Sequence, residues 1–256
     1  MDEILSRVLQ FITPTRPQAA LIALVLASIL VMMIWERRRP AYPMDHRKTW
    51  KRDVMATIAY IAVIAPLAEF IDSYLTFRPV LPQKIFELPF ALRFFMFVVI
   101  ADFGFYWVHR AMHTKWLWNL HRWHHSPTYM YWLMGVRGSL LQQVLVNIPY
   151  FFAQSLLAVS PWWTVLAIYF KTAFQNNWMH LNVRWGSRFV EWFIITPRYH
   201  HIHHSDNPEY YGSNIAAIFP IWDRLFGTYI DPDTVPADMH FGTNEKTSRW
   251  RLVLGI

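Results

Sequence analysis

The chain has 256 residues, 54% hydrophobic, 18% aromatic and only 16% charged, where a soluble domain carries about 25% charged residues. This composition excludes disorder and argues against an ordinary cytosolic protein. The absence of Cys excludes disulfides, thiolate zinc sites, iron–sulfur clusters and a Cys nucleophile, and a net charge of +7 on an apolar, Trp-rich chain points to a membrane surface, not nucleic acid.

Residues 19–35 are apolar apart from Ser28, approaching the ~20 residues of a membrane helix. Asp2 and Glu3 before this stretch, and Glu36-Arg37-Arg38-Arg39-Pro40 after it, fit a retained anchor better than a signal peptide. A second span is expected near 54–70, interrupted by Pro66 and Glu69, and a third near 94–108, holding Asp102. Residues 140–159 and 162–174 are two more apolar stretches around Ser160-Pro161, read as a helical hairpin. Between them and the third span, Gly135 and Gly138 weaken any helix, so 129–137 is read as a possible re-entrant segment.

Charge orients the spans. Residues 36–52 carry seven basic side chains and 73–92 carry two, so the first loop is expected in the cytoplasm and the second outside. Five crossings then bring His109, His180 and the segments 113–137 and 181–256 to the cytoplasmic side. Residues 181–256 contain charges, Pro and Gly but no span, and read as a cytoplasmic cap on the helix ends. The whole is expected to be a single all-α membrane domain of four to five transmembrane or re-entrant helices. Trp107, Trp116, Trp118, Trp123 and Trp132 fall near the cytoplasmic interface, where Trp anchors.

Three His clusters have helical spacing: His109 and His113; His121, His124 and His125; and His200, His201, His203 and His204. Positions i, i+3 and i+4 share one helix face, so each cluster can aim two or three imidazoles at one point. Imidazole suits Zn, Cu, Fe and Ni. Two, three and three nitrogens make eight, too many for one four-coordinate ion, and imply two metals, or one metal with imidazoles to spare. A zinc protease would need Glu beside the first His of an H-E-x-x-H motif; Arg110 stands there. A metal carrier would line a path across the bilayer, whereas these clusters share one face. His46 and His240 lie outside the clusters and read as surface or cap residues.

The run from Asp102-Phe103-Gly104-Phe105-Tyr106-Trp107-Val108-His109-Arg110 to His113, the run His121 to Ser126, the run Thr196 to Ser205 and the tail Ile221 to Thr228 resemble the sterol desaturase and fatty acid hydroxylase superfamily of membrane di-iron oxygenases. The likeness is greatest to its alkylglycerol monooxygenase and bacterial sterol-desaturase-like branches. The resemblance implies nine metal ligands: His109, His113, His121, His124, His125, His180, His200, His203 and His204. His201 is the rival of His200, since both lie within a turn of His204. Asn176, four residues before His180, could supply a tenth ligand. Asp102, Asn176, His201, Asp206, Glu209 and Asp223 are candidates to orient the imidazoles. Arg110, Arg122 and Arg198, inside the boxes, read as salt-bridge or headgroup contacts.

The same resemblance implies two iron ions, with zinc as a substitute in purified material, and O2 as co-substrate. Oxidation of a lipid C–H bond would give an alcohol or, with loss of a second hydrogen, an alkene; hydroxylation is favoured by the branch. The substrate is expected to be a fatty acyl, alkyl-glycerol or sterol-like membrane lipid. No haem- or flavin-binding motif stands in the sequence, so a separate electron donor of the cytochrome b5, ferredoxin or reductase kind is expected. A bacterial inner membrane is favoured over the endoplasmic reticulum.

Overall fold

In the computed structural model, which describes residues 16–59, 85, 87–157, 176–243 and 249–256, the first apolar stretch forms helix α1, Arg16–Arg38. Arg37 and Arg38 in its last turn face the negative end of the helix dipole. Leu24, Leu26, Leu30 and Val31 are each more than half exposed, so this helix offers apolar side chains with no protein cover. Among the described residues its end is docked: Trp35 packs against Trp178 and Trp185, and Glu36 is buried. Helix α2, His46–Ala59, begins in the basic loop, earlier than the expected second span. The rest of that span, and all of 162–174, lie outside the described residues.

Helix α3, Phe90–Met112, is long and apolar enough to cross a membrane. Its buried side chains, Phe97, Val98, Ala101, Asp102, Phe105, Tyr106, His109 and Met112, form one stripe at helical spacing. The stripe packs on helix α5, Leu140–Leu156. The two approach closely because Gly104 has no side chain: a Cβ there would lie 2.8 Å from Cβ of Pro149, the proline inside α5. Small residues give such close helix contacts in lipid, where burial of apolar surface drives little.

Helix α4, Trp118–His125, follows α3 after a short turn. Residues 132–136, inside the segment read as re-entrant, form a largely buried five-residue 3-10 turn packed on α2. Beyond 176 the described residues form short turns and helices: α6, Pro197–His203; α7, Ile221–Phe226; and α8, Arg249–Leu254. Thr196 starts α6 by accepting the Tyr199 N–H with its hydroxyl, and Pro197 takes the first helical position. The fold of the described residues is helical, with one isolated β-bridge between Ser205 and Phe241.

Part of the segment expected to cap the helix ends runs along the flank of α3. Asp102 accepts the backbone N–H groups of Ile218 and Phe219 and the indole N–H of Trp222, all within 3.0 Å. Trp222 and Phe226 pack on Phe103, and Phe226 also on Trp107. Asp102 lies ten residues, ~15 Å, from the end of α3. Sequence periodicity cannot announce this descent, because it is made by a loop and a six-residue helix.

Candidate metal centre

Nine imidazoles converge where α3, α4 and α6 meet. His109, His113, His121, His125 and His203 form one group, and His124, His180, His200 and His204 a second; within each, one nitrogen per residue lies within 4.8 Å of all the others. Helix geometry makes the division. On α4, His121 and His125 share a face one turn apart, while His124 is rotated off it; on α6, His200 and His204 pair and His203 is rotated off. Each of these helices therefore feeds both groups. The groups abut, with ring centroids 4.3 Å apart for His125–His204, 4.9 Å for His121–His124 and 5.0 Å for His200–His203.

Backbone carbonyls set the tautomers. Nδ1 of His109 faces Ile215 O at 2.7 Å, that of His124 faces Arg137 O at 2.9 Å, that of His180 faces Asn176 O at 2.8 Å, and that of His203 faces Ser213 O at 2.8 Å. A carbonyl only accepts, so Nδ1 carries the proton in all four and Nε2 presents a lone pair. Those Nε2 atoms point into the groups. Nε2 of His109 and His121 are 2.9 Å apart, and Nε2 of His121 and His125 3.1 Å. In the second group His180 Nε2 stands 3.1–3.2 Å from those of His124, His200 and His204. Nε2 of His113 and of His203 is buried without a hydrogen-bond partner.

Such an arrangement is unfavourable without a cation: the carbonyl-fixed His124 and His180 aim Nε2 lone pairs at each other, 3.2 Å apart, in a buried site. Burial, reinforced by neighbouring imidazoles, holds His121, His125, His180, His200 and His204 well below the usual imidazole range, so protons do not fill the gap. A metal–nitrogen bond of about 2.1 Å places neighbouring ligands at right angles about 3.0 Å apart, matching the observed separations. The residues present therefore fit two metal ions, and the clusters are capable of coordinating them.

The remaining candidates fall around this centre. His201 belongs to neither group; its Nε2 donates to Leu181 O and its ring packs on Tyr42 and Phe241. Asn176 contributes its backbone carbonyl, which orients His180. Asp223 accepts the N–H groups of Ile215 and Ala216 and the hydroxyls of Tyr199 and Thr228, so it fixes the carbonyl that holds His109. Asp102 fixes the same loop three residues on. Asp206 and Glu209 bond through their loop backbone. Arg110 donates to Tyr106 and Phe226 O, and Arg198 pairs with Glu191 and Asp233, so both arginines serve the fold. His240 is exposed, and the side chain of His46 lies outside the described residues.

Sequence reasoning missed Gly135. A Cβ there would strike Asn176 O and lie 2.5 Å from His180 Nδ1. It also missed Arg137, whose carbonyl orients His124. A glycine and an arginine in an otherwise apolar segment were the available signals. A cavity of about 520 Å³ adjoins the centre, lined by His113, His125, His203 and His204 together with Lys115, Trp118 and Tyr211. A narrow cavity of about 30 Å³ reaches His109, His121, His124 and His180 between Phe105, Val146 and Met179.

Comparison with known proteins agrees with this geometry. A family model described as fatty acid hydroxylase matches residues 94–228, just over half the chain. Alkylglycerol monooxygenase of Xenopus tropicalis is 32% identical over 131 residues, 51% of this chain and 29% of that protein. Ornithine lipid hydroxylase of Rhizobium tropici is 31% identical over 172 residues, 64% of this chain and 49% of the relative. A Delta(7)-sterol 5(6)-desaturase of Schizosaccharomyces pombe is 27% identical over 164 residues, 62% of this chain and 50% of the relative. The chain thus spans less than a third of the alkylglycerol monooxygenase and about half of the other two. No solved structure matches it.

Proposed function

Since this chain belongs to the fatty acid hydroxylase family, we propose that it is an oxygen-dependent di-iron enzyme that hydroxylates a C–H bond of a membrane lipid. The observation that carries this reading is the pair of abutting groups of five and four imidazoles. Two iron ions held there would supply the reducing electrons and oxidising power that O2 needs to attack an unactivated C–H bond. His109, His113, His121, His125 and His203 would hold one ion, and His124, His180, His200 and His204 the other. Zinc in purified material would be a substitute, since it binds nitrogen sites more tightly than ferrous iron.

The chain's own part is positioning and exclusion of water. The carbonyls of Ile215, Arg137, Asn176 and Ser213 hold the imidazoles with Nε2 inward. Phe105, Met112, Val146 and Met179 give the inner cavity an apolar wall opposite the polar Gln142, Gln143 and Asn176. The larger cavity combines Trp118 with the polar Lys115, Ser205 and Tyr211, suiting a chain with a polar head. The relatives' names specify alkylglycerol, ornithine lipid and Delta(7)-sterol, which supports a lipid substrate. Electrons would come from a separate carrier of the cytochrome b5, ferredoxin or reductase kind. The centre would face the cytoplasm of a bacterial inner membrane, an assignment supported by the basic residues of 36–52.

Lipid mass spectrometry of cells expressing the wild type or His124→Ala, grown in isotopic O2, tests the proposal. A lipid carrying labelled oxygen in the wild type alone is the expected result. A wild-type lipid short of two hydrogens, with no label, would instead establish a desaturase. No difference in the native membrane would overturn the oxygenase reading.

A further inference from the structure

Two buried carboxylates remain unexplained by the family stretch, since both precede residue 94. Glu36 is 2% exposed at the end of α1, and Asp53 is fully buried in α2. Burying a charge is costly unless it is compensated, and both are compensated by the same part of the molecule. Oε2 of Glu36 accepts the backbone N–H of Trp132 and of Asn182, each at 3.0 Å. Asp53 accepts the Arg137 guanidinium through Nε, at 2.8 Å, and Nη2, and the hydroxyls of Tyr129 and Tyr131 at 3.0 and 2.7 Å.

Among the described residues, the hydrogen bonds from these contacts lead to the four-histidine group. Arg137, clamped by Asp53, carries the carbonyl that accepts His124 Nδ1–H. Trp132 opens the turn holding Gly135, which lies against Asn176 O and the His180 ring. Asn182 follows His180 by two residues and is clasped further by the loop after α1: its carbonyl accepts Ala41 N–H, and its side chain pairs with both backbone groups of Tyr42. His124 and His180 both belong to the four-histidine group. The five-histidine group is steadied from the other side, through Asp223 and Asp102 on the loop carrying Ile215.

We propose that Glu36 and Asp53 are positioning residues for the four-histidine metal group, contributed by the two N-terminal helices. The inference rests on the dimetal reading and divides the centre into two halves with separate supports. The N-terminal helices are then part of the metal centre's framework as well as neighbours of the bilayer.

The test loads purified protein anaerobically with ferrous iron and measures iron per folded chain. The wild type is expected to take two; a wild type that takes fewer overturns the dimetal reading itself. Glu36→Leu and Asp53→Asn are each expected to take one. Glu36→Gln is expected to retain two, because an amide oxygen still accepts both N–H groups. Combination with a ligand variant assigns the loss: Glu36→Leu with His204→Ala stays at one, and Glu36→Leu with His113→Ala falls to near none. Glu36→Leu retaining two, losing both, or behaving like Glu36→Gln would overturn the proposal. If Glu36→Leu does not accumulate as folded protein, Asp53→Asn with the same two partners decides the matter by the same outcomes.

Discussion

The finest control over the centre is exercised by single atoms. Gly135 is needed for close approach, since its absent Cβ leaves room for Asn176 O and His180 Nδ1. Gly135→Ala is expected to cost about 1–3 kcal/mol as an overpacked site and to lower the metal content of the four-histidine group. Metal analysis and a melting curve in detergent check both effects; unchanged iron content would refute the role. Acid acts on the same atoms. Burial holds His124 and His201 at about 4 and His203 at about 3, below the 6.5 of a free imidazole. The unfolded chain takes up protons on these groups below about pH 6.5, and the folded chain does not. Metal-free protein should therefore keep its full stability above about pH 6.5 and lose it as pH falls towards about 4. A melting temperature flat across that window would contradict this.

At the scale of elements, the junction of α3 with the 215–219 loop governs the five-histidine group. Asp102→Ala leaves Ile218 N–H, Phe219 N–H and the Trp222 indole without an acceptor. At about 1–3 kcal/mol for each buried orphan, a loss of at least ~3 kcal/mol is expected, with iron lost first from the site of His109. Asp102→Asn keeps one acceptor oxygen and should fall between the two. Thermal unfolding with iron analysis measures this; equal stability of Asp102→Ala and the wild type would sink the account. Helix α3 was legible in the sequence because its apolar run is long, and the His spacing was legible because three clusters repeat it. The flanking course of 215–226 was not, since short turns have no periodicity to read. Glu36 and Asp53 were hidden among seven basic residues, where a lone acid reads as surface charge.

At the scale of the whole molecule, several large exposed apolar side chains of the described residues lie on α3, on α7 packed beside it, and on the segment before α6. Phe95, Phe103 and Trp107 on α3 join Ile221 and Leu225 on α7, and the Arg224 guanidinium, 4.0 Å from the Trp192 ring, links these to exposed Phe189 and Phe193. A surface of this size and aromatic content suits the bilayer. The chain lacks Cys, so single-cysteine variants report without background. A fluorophore on Leu225→Cys or Phe193→Cys is expected to be quenched several-fold more by a lipid-borne quencher than one on His240→Cys, which sits on an exposed loop. Equal quenching at all three would place this face in water. With the expected quenching, the centre lies below the level of the headgroups on one side, within reach of a lipid that has not left its leaflet.

The carbonyls that set the four imidazole tautomers belong to Ile215, Arg137, Asn176 and Ser213, residues with nothing in common as side chains. What these positions contribute is the path of the chain. Substitutions that leave the path alone, such as Ile215→Val, should be silent, whereas a change far off that bends the path should be felt at the metals. The histidine-lined pocket should thus tolerate changes in the side chains around it and be vulnerable chiefly to whatever alters its scaffold.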